Sequence, residues 1–416
     1  MSFARHRAHL FAAVSVISLS AASVALAADF TIDNVNIKPT DKGATVIIKT
    51  IDVRGANVSK EEFARIYDPN TPKDQRAALA KKLQFESVTV PEIVLQRTDE
   101  KPGTITFRGY QMTKYNQGMF ARFAMAGMEG KFRPDEGGGD ATLKSGPLTI
   151  EDADLSKAID AAMKGDLADA APRIGKFDFR DFEVRFPEKS AGAPLLHTFR
   201  LGAFNVTATY SGDVPLKSLV DIRNAVFVPA PNSGAAMGMQ QFGYNQVDVG
   251  LKGEGTYNPS TKAYNLSDFT INGINAGALT LTGLFGGIGP EAFTGTQMAR
   301  LGALLQGDVS AIALRYADNG LFDKSLVFYA KMSGKDPMAV RQEWAGMIAG
   351  ILPMMTGGDP GALKIASAVS DFIKAPRSLT ISIKGKGGPV RFGELQQIKD
   401  PTEILKRIDI EASANK

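Results

Sequence analysis

Residues 30–37 read FTIDNVNI: apolar, polar, apolar, two polar, apolar, polar, apolar. The same order returns at 51–58 (IDVRGANV), 105–112 (ITFRGYQM), 148–155 (LTIEDADL), 177–184 (FDFRDFEV), 242–249 (FGYNQVDV) and 269–276 (FTINGINA). With Ala counted as apolar, roughly one or two such windows are expected by chance. Seven are an excess. Apolar residues two apart share one face of a strand. The double polar step sends the next pair to the other face unless the backbone absorbs it. A bulge or tight turn at the fourth and fifth positions does so, and the Gly, Asn and Asp found there suit such places. The pattern predicts a β-rich protein whose strands bend repeatedly. The window at 148–155 is the exception, because Leu155, Ile159, Ala162 and Met163 step with helical period towards Gly165. Its last apolar pair is therefore expected on a helix.

Taken in order, strands are expected at 30–37 and 44–53, joined by a turn at 39–43. A capping box at Ser59-Lys60-Glu61-Glu62 starts a helix ending near Tyr67. Thr71 as N-cap and Pro72 at the first helical position start another, running to about Leu83. Strands follow at 85–96 and 104–114. Residues 118–131 fit a helix or a buried strand equally. Further strands are expected at 177–186 and 195–210, a helical turn at 214–221, a strand at 224–228 and a loop at 232–239. The clearest β meander covers 246–257, 263–272 and 278–284. Gly250, Gly253 and Gly255 remove side chains from its first strand, which suggests bending or a close neighbour.

The texture changes near residue 295. Helices are expected at 297–306, at 321–332, after Asp336-Pro337 and after Asp359-Pro360, with a strand at 309–316. A hairpin at 377–384 and 389–392, a short helix at 401–407 and a strand at 408–412 close the chain. The resulting fold class is α+β: a large twisted antiparallel sheet, built as a meander, with helices inserted and a helix-rich C-terminal part. The expected division is a signal at 1–27, a β-rich region at 28–294, and a C-terminal α+β region at 295–416 packed on the same sheet.

The signal reading rests on Arg5 and Arg7, a short apolar run at 10–19, and Ala25-Leu26-Ala27 as a small-x-small cleavage site. Cleavage after Ala27 points to an exported, periplasmic protein of a Gram-negative bacterium. Losing Arg5 and Arg7 lowers the formal charge from +4 to +2, which gives no electrostatic footprint for nucleic acid. The chain has no Cys, which removes disulfides, thiol catalysis and Cys-ligated metals. His6 and His9 lie in the signal, leaving only His197. A multi-histidine zinc site is thereby excluded. With no Gly-x-Ser-x-Gly elbow in the chain, His197 reads as an ordinary strand residue.

Residues 135–140 (DEGGGD) lack the ligand spacing of an EF-hand and read as a solvated loop. Gly287-x-Gly289-x-x-Ala292 matches a dinucleotide fingerprint only nominally, with Pro290 inside it and no βαβ context. No cofactor is expected. Asp181 and Glu183 are the one carboxylate pair worth weighing for a glycosidase-like hydrolase. Met332, Val340, Trp344, Met347, Ile351 and Met355 form an apolar stripe at helical spacing. It reads first as core, with Trp344 anchoring the helix to the sheet, and second as the pliable wall of an apolar groove.

The repeated windows and the meander VDVGLKGEGTYNPSTKAYNLSDFTINGINAGALTLTGLF at 247–285 resemble the AsmA-like and YdgA-like families of bacterial envelope proteins. Residues 313–344 are similar to the end module of uncharacterised exported proteins of alphaproteobacteria. The AsmA-like resemblance implies a long β-sheet with an apolar groove, a role in phospholipid transport and envelope integrity, and no catalytic residues. Those families usually keep an N-terminal membrane anchor, where this chain has a cleavage site. The expected function is therefore non-enzymatic: binding a lipid or other apolar ligand, at a membrane surface or in the periplasm. The alternatives are an envelope assembly protein that binds protein partners by sheet-edge addition, and the carboxylate hydrolase.

Overall fold

The computed structural model describes residues 27–38, 44–98, 101–134, 138–159, 172–188, 194–294, 296–395 and 401–416. The expected signal before Ala27, the expected turn at 39–43, residues 135–137 of the acidic stretch and the second half of the helix expected at 155–165 lie outside them. The chain is α+β: the described residues form eighteen strands in a large antiparallel sheet, with helices inserted between them. It divides into two compact units, Met1–Thr207 and Ala208–Lys416. The change of texture near residue 295 falls inside the second unit. There the strand before it, Gly277–Gly286, pairs along its length with the strand after it, Asp308–Asp318.

The first unit holds β1 (Ala28–Ile37), β2 (Ala44–Ala56), α1 (Lys60–Ala64), α2 (Lys73–Ala80), β3 (Gln84–Arg97), β4 (Gly103–Asn116), β5 (Met119–Met125) and β6 (Gly127–Phe132). It continues with β7 (Ala141–Ser145), β8 (Leu148–Asp154), β9 (Arg173–Glu188) and most of β10 (Leu195–Ser211). The ladder β1–β2–β3–β4 is an up-and-down meander. β5 and β6 then run end to end beside β4, interrupted at Ala126. β8 and β7 run end to end beside them and beside β9. Residues 118–131, which the sequence leaves open, are thus strand from Met119 onwards except at Ala126, because both their edges are taken by neighbouring strands.

The repeated windows fold differently from simple bulges. Five of them hold a residue in the left-handed region at the fifth position: Asn34 (φ 58°), Gly55 (φ 65°), Gly109 (φ 64°), Asp152 (φ 51°) and Asp181 (φ 54°). The pairing nevertheless stays in register across Asn34, with Asp33 opposite Thr50 and Val35 opposite Ile48. The reason is that each neighbour makes the same double step at the same level. Lys49-Thr50 on β2, Pro91-Glu92 on β3 and Arg108-Gly109 on β4 lie in one line across the ladder. The line continues to Ala126, whose N–H reaches Arg108 O, and to Gly146-Pro147, bonded to Arg180 beside Asp181. A second line lies five residues away along the strands. It joins Gly55, Glu86, Lys114 (φ 51°), Ala121, Asp152 and Gly175. The sheet of this unit is therefore creased twice, coherently, rather than bulged strand by strand.

The window at 148–155 keeps its place in this pattern. β8 runs to Asp154, Ala153 is buried on the core side, and helical residues begin only at Ser156. The Ser59–Glu62 capping box forms as expected, with both reciprocal bonds present. The next helix starts one residue later than expected. Pro72 has extended ψ and takes the N-cap, so Thr71 falls outside the helix. Phe63, Ile66, Leu79 and Leu83 from this helical insertion pack against Val53, Val88, Phe85 and Tyr110 of the sheet.

The second unit holds β11 (Val214–Val228), α3 (Gly234–Gln241), the meander β12 (Val247–Asn258), β13 (Ala263–Gly273) and β14 (Gly277–Gly286), α4 (Glu291–Thr294) and α5 (Gln297–Leu305). β15 (Asp308–Asp318), α6 (Leu321–Ser333), α7 (Pro337–Met355), α8 (Pro360–Lys374), β16 (Ser378–Gly385), β17 (Val390–Arg391), α9 (Phe392–Leu395), α10 (Pro401–Leu405) and β18 (Ile408–Ala414) follow.

Three expectations are corrected in this unit. Residues 214–221 are strand, not a helical turn, because they pair continuously with β12 from Lys217–Thr256 onwards. Residues 234–241 form a helix, not a loop; Ser233 Oγ accepts the Ala236 N–H at 3.1 Å, and Phe242 stacks on Phe328 at its end. The expected 377–392 hairpin does not form, since β18 takes the far edge of β16 and β17 pairs with β15 instead. Gly255 is needed for close approach, because a Cβ there would run into the Tyr264 hydroxyl.

Candidate apolar binding surfaces

The two creases keep every apolar pair of the first unit on one face. Cross-strand pairing then lines the pairs up into rows. One row runs Phe30, Val53, Val88, Met112, Phe123, Ile150, Phe177 and Val206. Another runs Ile37, Val46, Leu95, Ile105, Gly130, Leu143, Val184 and Phe199. At about 4.8 Å per strand, such a row is about 34 Å long. Neither row contains a charged or hydrogen-bonding side chain.

Coverage differs along the rows. Near β1–β4 the first row lies under α1 and α2, where Phe63 meets Phe30 edge-on at 5.4 Å and Val53 is fully buried. On β9 and β10 the face carries Phe177, Phe179, Phe182, Phe199 and Phe204, all only half-buried. Their rings contact each other, Phe177 with Phe204 at 5.1 Å and Phe182 with Phe199 at 6.4 Å. The second row is half-buried along its whole length.

The opposite face is ionic. Glu183 accepts from Arg200 at 2.9 Å and Arg185 at 3.1 Å, with Lys144 at 3.7 Å. The Arg200 hydrogen bond, aided by the field of Lys144 and Arg185, holds its carboxyl below the ordinary glutamate value. A general acid needs the reverse shift. Asp181, its proposed mate, occupies the left-handed crease position beside Gly146. The pair thus belongs to a cation-rich crease. His197 is buried on β10, with Nε2 at 2.8 Å from Glu188 Oε2 and its ring stacked on Phe186. Among the described residues, no group of His, Asp or Glu is assembled for a metal. The nominal fingerprint at 287–292 links β14 to a four-residue helix, and Ile288 O accepts the Tyr257 hydroxyl.

The helical stripe is split by its surroundings. Val340, fully buried, and Trp344 pack with Leu326, Ala330 and Phe322 of α6. Past Ala345 the same seam of α7 leaves α6 behind. Met347 (46%), Ile351 (43%) and Met355 (74%) are exposed there, as are neighbouring Met354 (76%) and Met332 (72%) on α6. Trp344 contacts Phe322 and Tyr329, so it anchors helix to helix rather than helix to sheet. The sequence reasoning missed the cross-strand rows. Their signal was the five-residue spacing itself, as in Val46/Ile48, Ile51/Val53 and Ala56/Val58, along β2 and just past its end.

A family model described only as an uncharacterized protein matches residues 270–415, the part that begins in β13 and ends with β18. No curated protein matches the chain.

Proposed function

We propose that the protein is a periplasmic, non-enzymatic carrier that holds a lipid or other apolar ligand against the apolar face of its sheet. The observation that carries this reading is the second row, Ile37 to Phe199, which continues uncharged across the strands yet stays half-buried. Binding on such a face is driven by removal of apolar surface from water, at roughly 25 cal/mol per Å². Half-buried rings at Phe182 and Phe199 leave area to be gained, whereas Val53 and Val88 at the α1–α2 end are already buried.

The test is native mass spectrometry and solvent extraction of the purified mature protein. Lipid should co-purify, and Phe199→Asp should release it while leaving circular dichroism unchanged. A protein that carries no lipid and takes up none from detergent-solubilised extract would sink the carrier reading. Crosslinked protein partners without lipid would move the function to envelope assembly.

A further inference from the structure

The joined ends of α7 and α8 form an apolar tip. The two helices run antiparallel, tied by Arg341 Nη1 to Ile373 O at 2.7 Å and by Ser370 Oγ to Ala345 O at 3.1 Å. Residues 344–358 of this hairpin (WAGMIAGILPMMTGG) carry no charged side chain. The exposed positions of that stretch are Gly346, Met347, Ala349, Gly350, Ile351, Met354, Met355, Gly357 and Gly358, so no exposed side chain there offers water a hydrogen bond.

The one polar side chain in the stretch, Thr356, turns its hydroxyl back onto Leu352 O at 2.8 Å. The backbone donors of the tip are occupied as well. The N–H groups of Thr356, Gly357, Gly358 and Asp359 donate to Leu352, Met354, Pro353 and Thr356. Pro360 has no N–H, and those of Gly361 and Ala362 are taken by Asp359 Oδ1. Charges return on both limbs: the Lys335–Glu343 pair on one side, and on the other Asp359, whose carboxylate caps α8, followed by Lys364, bonded to Glu411.

A tip whose donors are occupied and whose exposed side chains are apolar suits the acyl boundary, where its remaining carbonyls can face the headgroups. We propose that this hairpin tip docks the protein on a lipid bilayer, entering the acyl boundary of one leaflet with Met347, Ile351, Met354 and Met355. It does not span the bilayer. The uncharged stretch is shorter than the roughly 20 residues a crossing needs, and no helix among the described residues is long and apolar enough to cross. The depth fits an interfacial element, and the driving force is apolar burial rather than attraction to anionic headgroups.

This docking is independent of whether the sheet carries a ligand, and its test is separate. The mature protein is floated with phosphatidylcholine vesicles at low and high salt. Hydrogen exchange on the vesicles reads where protection appears. Expected are flotation insensitive to salt, protection across 347–363, and about tenfold weaker binding for Ile351→Glu/Met354→Glu. Met355→Glu alone should weaken it in the same direction, while Leu196→Glu, exposed in the first unit, should not. The idea fails if the wild-type protein stays in solution. It also fails if the charged variants float as well as wild type, or if binding needs anionic lipid and vanishes with salt. Sedimentation showing instead a dimer that these substitutions dissolve, with no vesicle binding, would assign the tip to a second copy.

Discussion

Single residues set the creases, and they do so by backbone conformation more than by contact. Left-handed φ costs an ordinary residue about 1–2 kcal/mol. That explains why Asn, Asp and Gly occupy five of the crease positions, and it makes Lys114 (φ 51°) the odd member. Lys114→Gly should therefore stabilise the protein by about 0.5–1 kcal/mol. Gly109→Val should destabilise it by about 2 kcal/mol or more, since a Cβ there would also meet Ala126 Cβ at 2.8 Å. Urea midpoints measure both. A pH effect belongs at the same scale. Burial raises the phenols of Tyr67 and Tyr115 from the ordinary 10.0 to about 12. A raised folded-state value favours the neutral form, so this contribution is complete below pH 10 and is lost as pH rises towards 12. Stability should be level up to pH 10 and fall above it. Tyr115→Phe should flatten the fall, read by denaturation at a series of pH values.

Among elements, the sequence was most legible where a local device leaves a local signature. The Ser59 capping box and the Asp336-Pro337 and Asp359-Pro360 helix starts are all found as written. Ser59→Ala should cost about 1 kcal/mol, visible as a lower melting temperature, because the short helix it caps brings Phe63 into the core. Legibility failed where a neighbour decided. Residues 214–221 have spacing that suits a helical turn, yet β12 offers a full ladder and wins. Residues 234–241 contain Gly234 and Gly238 and look like a loop, yet the Ser233 cap and the Phe242–Phe328 stack hold a helix. The 377–392 hairpin was misread because the edge it needs goes to β18, far ahead in the chain. The stripe from Val340 to Met355 reads as one apolar line, but no spacing could reveal that α6 packs on Val340 and Trp344 while Met347, Ile351 and Met355 stay exposed.

Across the molecule, the two units handle apolar surface in different ways. The large buried cluster from Ile32 to Ala153 lies in the first unit, while the second has the small Leu326–Ala330–Val340 cluster. Exposed large apolar side chains show the opposite distribution. Met119 and Leu196 apart, those among the described residues all lie between Met237 and Leu363. Slow amide exchange should accordingly concentrate in β2–β4 and be fastest at the α7–α8 tip in the absence of lipid, as hydrogen exchange by mass spectrometry would show.

The spacing of the creases also limits how such strands can change length. Each strand of the first unit repeats its inward and outward order every five residues, and its neighbours keep the same count. An insertion of one or two residues in β3 would turn the following pairs to the wrong side and break step with β2 and β4. A duplication of the five residues VTVPE at 88–92 restores every later side chain to its own face. Strand growth in this architecture is therefore quantised. In an insertion scan of β3, soluble expression should recover at five added residues and fail at one to four.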